Sequence, residues 1–401
     1  MTARPSLRGD PALRALARLA VCVFLTFMTI GMPLPVLPLY VHDALGFGNL
    51  VVGSVIGISF LATVLTRGLA GREADQTGAR RVMLRGMVLC AVSGATMLAA
   101  GLLPLGGHGR LAVLLVGRLI LGLGESQLIV AMLGWGIALV GSARSSIVLA
   151  WCGMAMYGSV AASAPVGFWL YHHGGLALVG AVAALLPLMS IALAWPVRGV
   201  PPVRGERQSF FSVVLRIWQP GAVVMLQGVG YAAIGAFIAL DFSDHHWPGT
   251  GIALSFFGIG FVIVRLFAGH TPTLYGGFRV AIVSLTVETL GQATLFLAPD
   301  AIVALVGTAL TGAGCSMVFP SMGVVVVQHT PAHIRSTALG AVAAFQDIAY
   351  GLTGPVTGLV ATSFGYPAVF AAGCVCAATG LVIVLAISAG GLGWGRPGEA
   401  A

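Results

Sequence analysis

The chain has 401 residues, 58% of them hydrophobic and only 8% charged, against about 25% charged in soluble domains. That excludes a soluble globular protein. The continuous apolar runs exclude a β-barrel, whose strands would alternate apolar and polar residues. The net charge of +8 comes from 20 Arg without a single Lys, set at the ends of alternating apolar segments; no basic patch forms, which excludes a nucleic-acid interface.

A bilayer-spanning helix takes about 20 mostly apolar residues. The sequence predicts twelve such spans, at 17–41, 50–70, 82–104, 111–138, 146–170, 175–197, 218–242, 250–270, 279–299, 302–327, 336–361 and 367–388. Arg4, Arg8, Arg14 and Arg18 precede the first run as in a signal peptide. That run extends to about Val41, holds Pro33, Pro35 and Pro38, and lacks a small-residue cleavage site, so it reads as a retained helix. The prolines should bend or break it near its far end. The connections are short, so sequential helices are antiparallel. One side then collects 18 of the 20 Arg, leaving Arg110 on the other and Arg118 inside a span. The positive-inside rule makes the Arg-rich side cytoplasmic, with both termini there. The longest polar break, Arg198–Ser209, separates a six-helix bundle at 1–197 from a second at 218–401, with 198–217 as a cytoplasmic linker. Phe210–Trp218 has the character of an interfacial turn.

The two halves repeat. Arg67, Ala70, Gly71, Gly78 and Arg81 return as Arg265, Ala268, Gly269, Gly276 and Arg279, each 198 residues on. Leu115-Val116-Gly117, Gly122, Gly124 and Ser126 return as Leu305-Val306-Gly307, Gly312, Gly314 and Ser316, each 190 on. A duplicated half built of apolar segments points to a membrane transporter with two related bundles.

The stretch Gly71-Arg-Glu-Ala-Asp75-Gln76-Thr-Gly78-Ala79-Arg80-Arg81 resembles the signature loop between helices two and three of the major facilitator superfamily. Gly71 and Gly78 allow a tight turn. Asp75 among Arg80 and Arg81 can pair or cap a helix, and such a cluster can latch and release two bundles. The alternative is an ordinary positive-inside loop. Gln76 and Ala79 depart from the family's basic residues, and Thr273 replaces the acid in the second copy. Arg118-Leu-Ile-Leu-Gly122-Leu-Gly124-Glu125 is similar to the fourth-helix motif of the drug:proton antiporter branch. Ala164-Pro165-Val-Gly167 is similar to a degraded exporter motif, with Gly354-Pro355-x-x-Gly358 a cleaner copy. The chain also resembles uncharacterised arabinose-efflux-like permeases. The resemblance implies an all-α membrane protein, with twelve helices in two six-helix bundles around a central cavity and alternating access across it.

Arg118, Glu125, Glu288 and Asp347 lie deep in the spans. A charge at a helix centre costs about 2.5–3.5 kcal/mol on insertion scales, so such residues usually face water or a partner. Arg118 and Glu125 are seven residues apart, hence on one face and about 10 Å apart along the axis. Burial favours a neutral acid and a nearby Arg a carboxylate, the balance a proton carrier needs. The alternative is a fixed structural pair. Asp347 in span eleven, one turn from Tyr350, is read as a second proton or substrate site; the alternative is a buried acid hydrogen-bonded between helices. Glu288 in span nine, with Gln292 four residues on, is read as structural.

Gln127, Gln227, Tyr231 and Tyr350 are the candidate cavity residues, with Thr26, Thr29 and Ser316 also polar on cavity helices. The six cysteines fall inside spans and read as small packing residues. The pairs His172-His173 and His245-His246 could bind a metal, but adjacent residues diverge on a helix and no third ligand is evident, so interfacial solvation is expected. No nucleotide-binding or hydrolase motif is present. The expectation is a transporter, not an enzyme, with no catalytic residue, metal or cofactor. It sits as a monomer in the bacterial inner membrane and couples protons to the export of a small organic solute, sugar-like or drug-like. Its partners are the lipid bilayer, protons and that solute, with no nucleic acid. A symporter or uniporter importing a metabolite, and a membrane sensor or scaffold that moves nothing, are the alternatives.

Overall fold

A computed structural model describes residues 10–141, 144–201, 215–330 and 335–390; most of the predicted linker and its interfacial turn, and both extreme termini, lie outside these ranges. The described residues are mostly helical, with no strand among them. In order they form α1 (Pro11–Gly31), α2 (Asn49–Thr77), α3 (Ala79–Leu102) and α4 (Gly107–Val140). One long helical stretch, Ser145–Ala194, follows. Its backbone leaves helical geometry at Gly174 and Gly175, where Gly175 takes φ +61°, and this divides it into α5 (145–173) and α6 (176–194). The second half has α7 (Trp218–Asp244), α8 (Thr250–Ala268), α9 (Gly277–Phe296), α10 (Ala301–Gln328), α11 (Arg335–Phe364) and α12 (Pro367–Ser388). These are the twelve helices of the predicted fold.

Local sequence explains the breaks. Asp10 caps α1, its carboxylate accepting from the Ala12 amide at 2.9 Å. The chain leaves α1 at Gly31, passes Pro33 and Pro35, and resumes as a short helix and a π-turn over Tyr40–Ala44, as the prolines predicted. Two turns repeat. Gly78, at φ +94° and ψ 137°, joins α2 to α3, and Gly276, at φ +88° and ψ 146°, opens α9. Only glycine enters this region without strain, so the sequence echo marks one backbone conformation used twice. One expectation needs revising. The signature stretch is not a loop through its length, because α2 continues to Thr77 and only Gly78 turns.

By contacts the chain divides into two units, Met1–Val36 with Ala62–Gly205, and Leu37–Leu61 with Glu206–Ala401. In lipid no hydrophobic drive pushes helices together, so close packing depends on small residues. In the first unit α3 packs on α4 and α6, and α1 packs on the α5–α6 stretch; in the second α9 packs on α10 and α12, and α7 on α11 and α12. The repeated glycines carry this parallel. A Cβ on Gly117 would meet Thr96 of α3 at 2.0 Å; one on Gly307 would meet the Leu295 amide of α9 at 2.8 Å. Large apolar side chains left exposed within the spans, such as Leu65, Val283 and Val375, give the lipid-facing surface of a multi-pass membrane protein.

Within the second unit, the first half of α2 lies backbone to backbone on α11. A Cβ on Gly53 would sit 1.9 Å from the Gly354 carbonyl oxygen, and one on Gly57 would sit 2.3 Å from that of Gly351. Gly358 meets the Asn49 carbonyl in the same way, and the Tyr366 hydroxyl donates to the Asn49 side chain at 3.3 Å.

Candidate functional site

In the first unit α4 runs unbroken past both deep charges, so the predicted helical register holds and Arg118 and Glu125 stay on one face. Both are buried; Arg118 is among the largest fully enclosed side chains of the protein. The hydroxyl of Thr63 on α2 donates to the Gly122 carbonyl at 3.1 Å and to Glu125 Oε2 at 3.4 Å. Behind them Gly124 packs on Cys90 of α3. The arrangement is a carboxyl with a hydroxyl donor beside it and a guanidinium two turns away along the helix. Such a carboxyl can hold or surrender a proton as its neighbours move.

The latch residues lie about the end of α2 and the start of α3. Gly78 is the turn, while Gly71 lies within α2 with open space around its Cα. Asp75 and Arg81 are exposed. Arg80 turns to Trp195 beyond α6, donating to its carbonyl at 2.8 Å with the guanidinium 5.3 Å over the indole. One ion pair at this end belongs to an acid that the sequence reading did not single out. Glu73 receives Arg85 Nη1 at 3.0 and 3.1 Å and the Gln127 amide at 3.2 Å. Gln127, an expected cavity residue, is thus placed on the latch stretch. Glu73 was findable, since it lies two residues before Asp75 in the same motif.

In the second unit two expected cavity residues meet. The rings of Tyr231 on α7 and Tyr350 on α11 are 5.0 Å apart, nearly edge to face. Phe60 of α2 stands 5.3 Å from Tyr350, and Phe257 of α8 stands 5.0 Å from Tyr231. The Gln346 amide donates to the Tyr350 hydroxyl at 2.8 Å, and buried Asp347 is its neighbour in sequence. Gln227 is buried one turn from Tyr231. Phe60 and Phe257 carry no polar signal, so nothing in the sequence separates them from core residues.

Two other polar residues are absorbed by backbone. Thr29 donates to the Ala183 carbonyl and Ser316 to that of Phe261, both at 2.9 Å. His173 stacks on Trp169 at 4.2 Å and His245 on Trp247 at 4.5 Å. Asp241, near the end of α7, is 2% exposed and 3.4 Å from the His245 ring, a buried acid the sequence reading passed over.

The sequence pattern of the Major Facilitator Superfamily matches residues 19–239 and 220–395, together nearly the whole chain. The chain belongs to that superfamily. It is 44% identical over 383 residues to an uncharacterised MFS-type transporter of Salmonella typhimurium (strain LT2), covering 95% of this chain and 98% of the relative. It is 42% identical over 360 residues to an uncharacterised MFS-type transporter of Burkholderia mallei (strain SAVP1), covering 90% and 88%. Among solved structures the superfamily fold is shared with a D-xylose-proton symporter, at TM-score 0.77 and 15% identity over 97% of this chain and 99% of that one. It is shared also with the nucleoside transporter NupG, at TM-score 0.74 and 16% identity over 94% and 99%. These likenesses concern the fold.

Proposed function

We propose that this superfamily member is a proton-coupled secondary transporter of the bacterial inner membrane, with both termini cytoplasmic, that exports a small organic solute by alternating access. The observation that carries the reading is Glu125, a buried carboxyl held by Thr63 on the same helix face as Arg118. A charge enclosed in a membrane bundle is expensive to keep, and this one has a donor on a neighbouring helix whose displacement changes its environment. In the proposed cycle a proton on Glu125 neutralises it in one conformation, and its loss leaves a carboxylate for Arg118 in the other. Asp347 supplies a second acid beside the Tyr231–Tyr350 aromatic contact, where a flat or apolar solute finds ring faces and Gln346 a polar handle. Glu73, Arg85 and Gln127 join Asp75, Arg80 and Arg81 as the latch.

Proton-coupled import is the second reading. It is favoured by Ala164 before Pro165 in α5, where the exporter motif has Gly, although Gly167 keeps its close packing on the Met32 backbone. Flux in inverted vesicles under an imposed pH gradient decides between them, run over a panel of sugars, nucleosides and organic cations. Export by antiport predicts uptake into vesicles acidified inside, lost in Glu125→Gln with Asp347→Asn. Undiminished gradient-driven flux in that double variant would remove proton coupling through these acids.

A further inference from the structure

The two halves share more than glycines. The 190-residue offset that relates α4 to α10 carries Glu125 onto Cys315, and the 198-residue offset that relates the Gly78 turn to the Gly276 turn carries Cys90 onto Glu288. The packing agrees with both offsets. A Cβ on Gly124 would lie 2.9 Å from Cys90 Sγ, and a Cβ on its counterpart Gly314 would lie 2.5 Å from the Glu288 amide nitrogen. Each half therefore has one carboxyl and one thiol where its third and fourth helices cross. The helices that carry them are exchanged.

Glu288 is wholly enclosed, as is Gln292 one turn on, and Gln227 of α7 is 1% exposed. Glycines make the room: a Cβ on Gly230 of α7 would come within 2.8 Å of Glu288 Oε1, and one on Gly373 of α12 within 2.5 Å of Gln292 Oε1. The Gln292 amide is spent on the Gly230 carbonyl at 3.3 Å and the Thr311 hydroxyl at 3.4 Å. Among the described residues no N–H or O–H group reaches either carboxyl oxygen of Glu288, and Gln227 Oε1 and Gln292 Oε1 likewise meet no such donor. The thiol of Cys315 lies beside both Glu288 and Gln227, and Cys376 of α12 is the other titratable group nearby. Neither thiol supplies a positive charge, whereas Glu125 has Arg118 on its own helix. The pocket is rich in acceptors, and the donor that faces Glu288 is the weak S–H of Cys315.

We infer that Glu288 is a proton-binding site of the second half. It holds its proton as the neutral acid, whose O–H supplies the donor that the surrounding oxygens lack. A bare carboxylate enclosed in this way would cost far more than the protonated group. The site is separate from Glu125 and Asp347 and does not depend on their role in coupling.

Infrared spectroscopy of the full chain in lipid nanodiscs tests this. The chain should carry Glu125→Gln and Asp347→Asn, so that those acids do not contribute. At neutral pH the carbonyl-stretch band of a protonated carboxyl should be present, shift in deuterated water, and disappear on adding Glu288→Gln. Glu288→Asp should move the band without removing it. The exchanged variant Glu288→Cys with Cys315→Glu, which copies the first half's arrangement, covers the case in which Glu288→Gln fails to fold; it should keep a band of its own. A band unchanged by Glu288→Gln, or no protonated band in the parent at neutral pH, overturns the inference. A band that is bleached by sodium at constant pH would overturn it in favour of a metal cation. Because the readout is the proton itself, it stands whether or not transport survives the Glu125 and Asp347 substitutions.

Discussion

Replacing glycine by alanine should have opposite effects at two places on α2. In a helix interior that change is favourable by about 0.5–1 kcal/mol, because glycine loses more backbone freedom on folding. At Gly68, which is exposed with nothing within 4 Å of an added Cβ, only this term acts. At Gly53 the Cβ would sit 1.9 Å from the Gly354 carbonyl oxygen, where ordinary contact begins at 3.4 Å. The two backbones must part by about 1.5 Å, and no flexible side chain is available to yield instead. Overpacking of this kind costs about 1–3 kcal/mol, so against the helix-propensity gain the net effect at Gly53 is a loss of up to about 2.5 kcal/mol. Gly354→Ala approaches the same seam from α11 and should behave alike, at 2.3 Å from the Gly53 oxygen. Thermal unfolding in detergent, followed by intrinsic tryptophan fluorescence, measures both signs in one protein. Equal shifts for Gly53→Ala and Gly68→Ala would refute the seam as described.

Gly78→Ala and Gly276→Ala should each cost about 1–3 kcal/mol, since both force a side chain into a backbone region suited to glycine; matched denaturation curves would show whether the two turns are equivalent. Trp135→Phe removes the indole hydrogen bond to the Arg198 carbonyl at 2.9 Å from a fully buried site, and should cost about 1–3 kcal/mol by the same measurement. Asp10 is held below the usual carboxylate range, first by its hydrogen bond from Arg144 and then by the Ala12 amide. A carboxyl lowered in the folded state contributes stability that is complete above its unfolded value and lost as pH falls through the folded one. Asp10→Asn should therefore lower stability at neutral pH and flatten the acid limb, the two profiles converging as pH falls below the ordinary carboxylate range.

The helical architecture was legible because spans, polar breaks and glycine echoes are linear signals. Length and apolarity locate each helix, and the 198-residue echo located both glycine turns. The extent of α2 was not legible, because Arg72 to Thr77 reads as loop by polarity while Gly78 alone breaks the helix. The Tyr231–Tyr350 contact was half visible: both residues stood out as polar aromatics, but their meeting depends on how α7 and α11 pack. Phe60 and Phe257 were silent, since phenylalanine in a span looks the same in a core or at a site. The Glu288 relation was hidden by the comparison itself. Reading α4 against α10 at a single offset finds only Cys315 opposite Glu125, and the matching acid appears when α3 and α9 are compared at their own offset.

The α2–α11 seam has a thermodynamic consequence. Gly53, Gly57, Gly351, Gly354 and Gly358 have no side chains, so contact between them freezes no rotamers. Its attraction comes from dispersion and from backbone carbonyl oxygens lying close to Cα hydrogens. Joining and parting such surfaces exchanges almost no side-chain entropy. The contact is therefore mainly enthalpic, and it re-forms without a search among side-chain conformers.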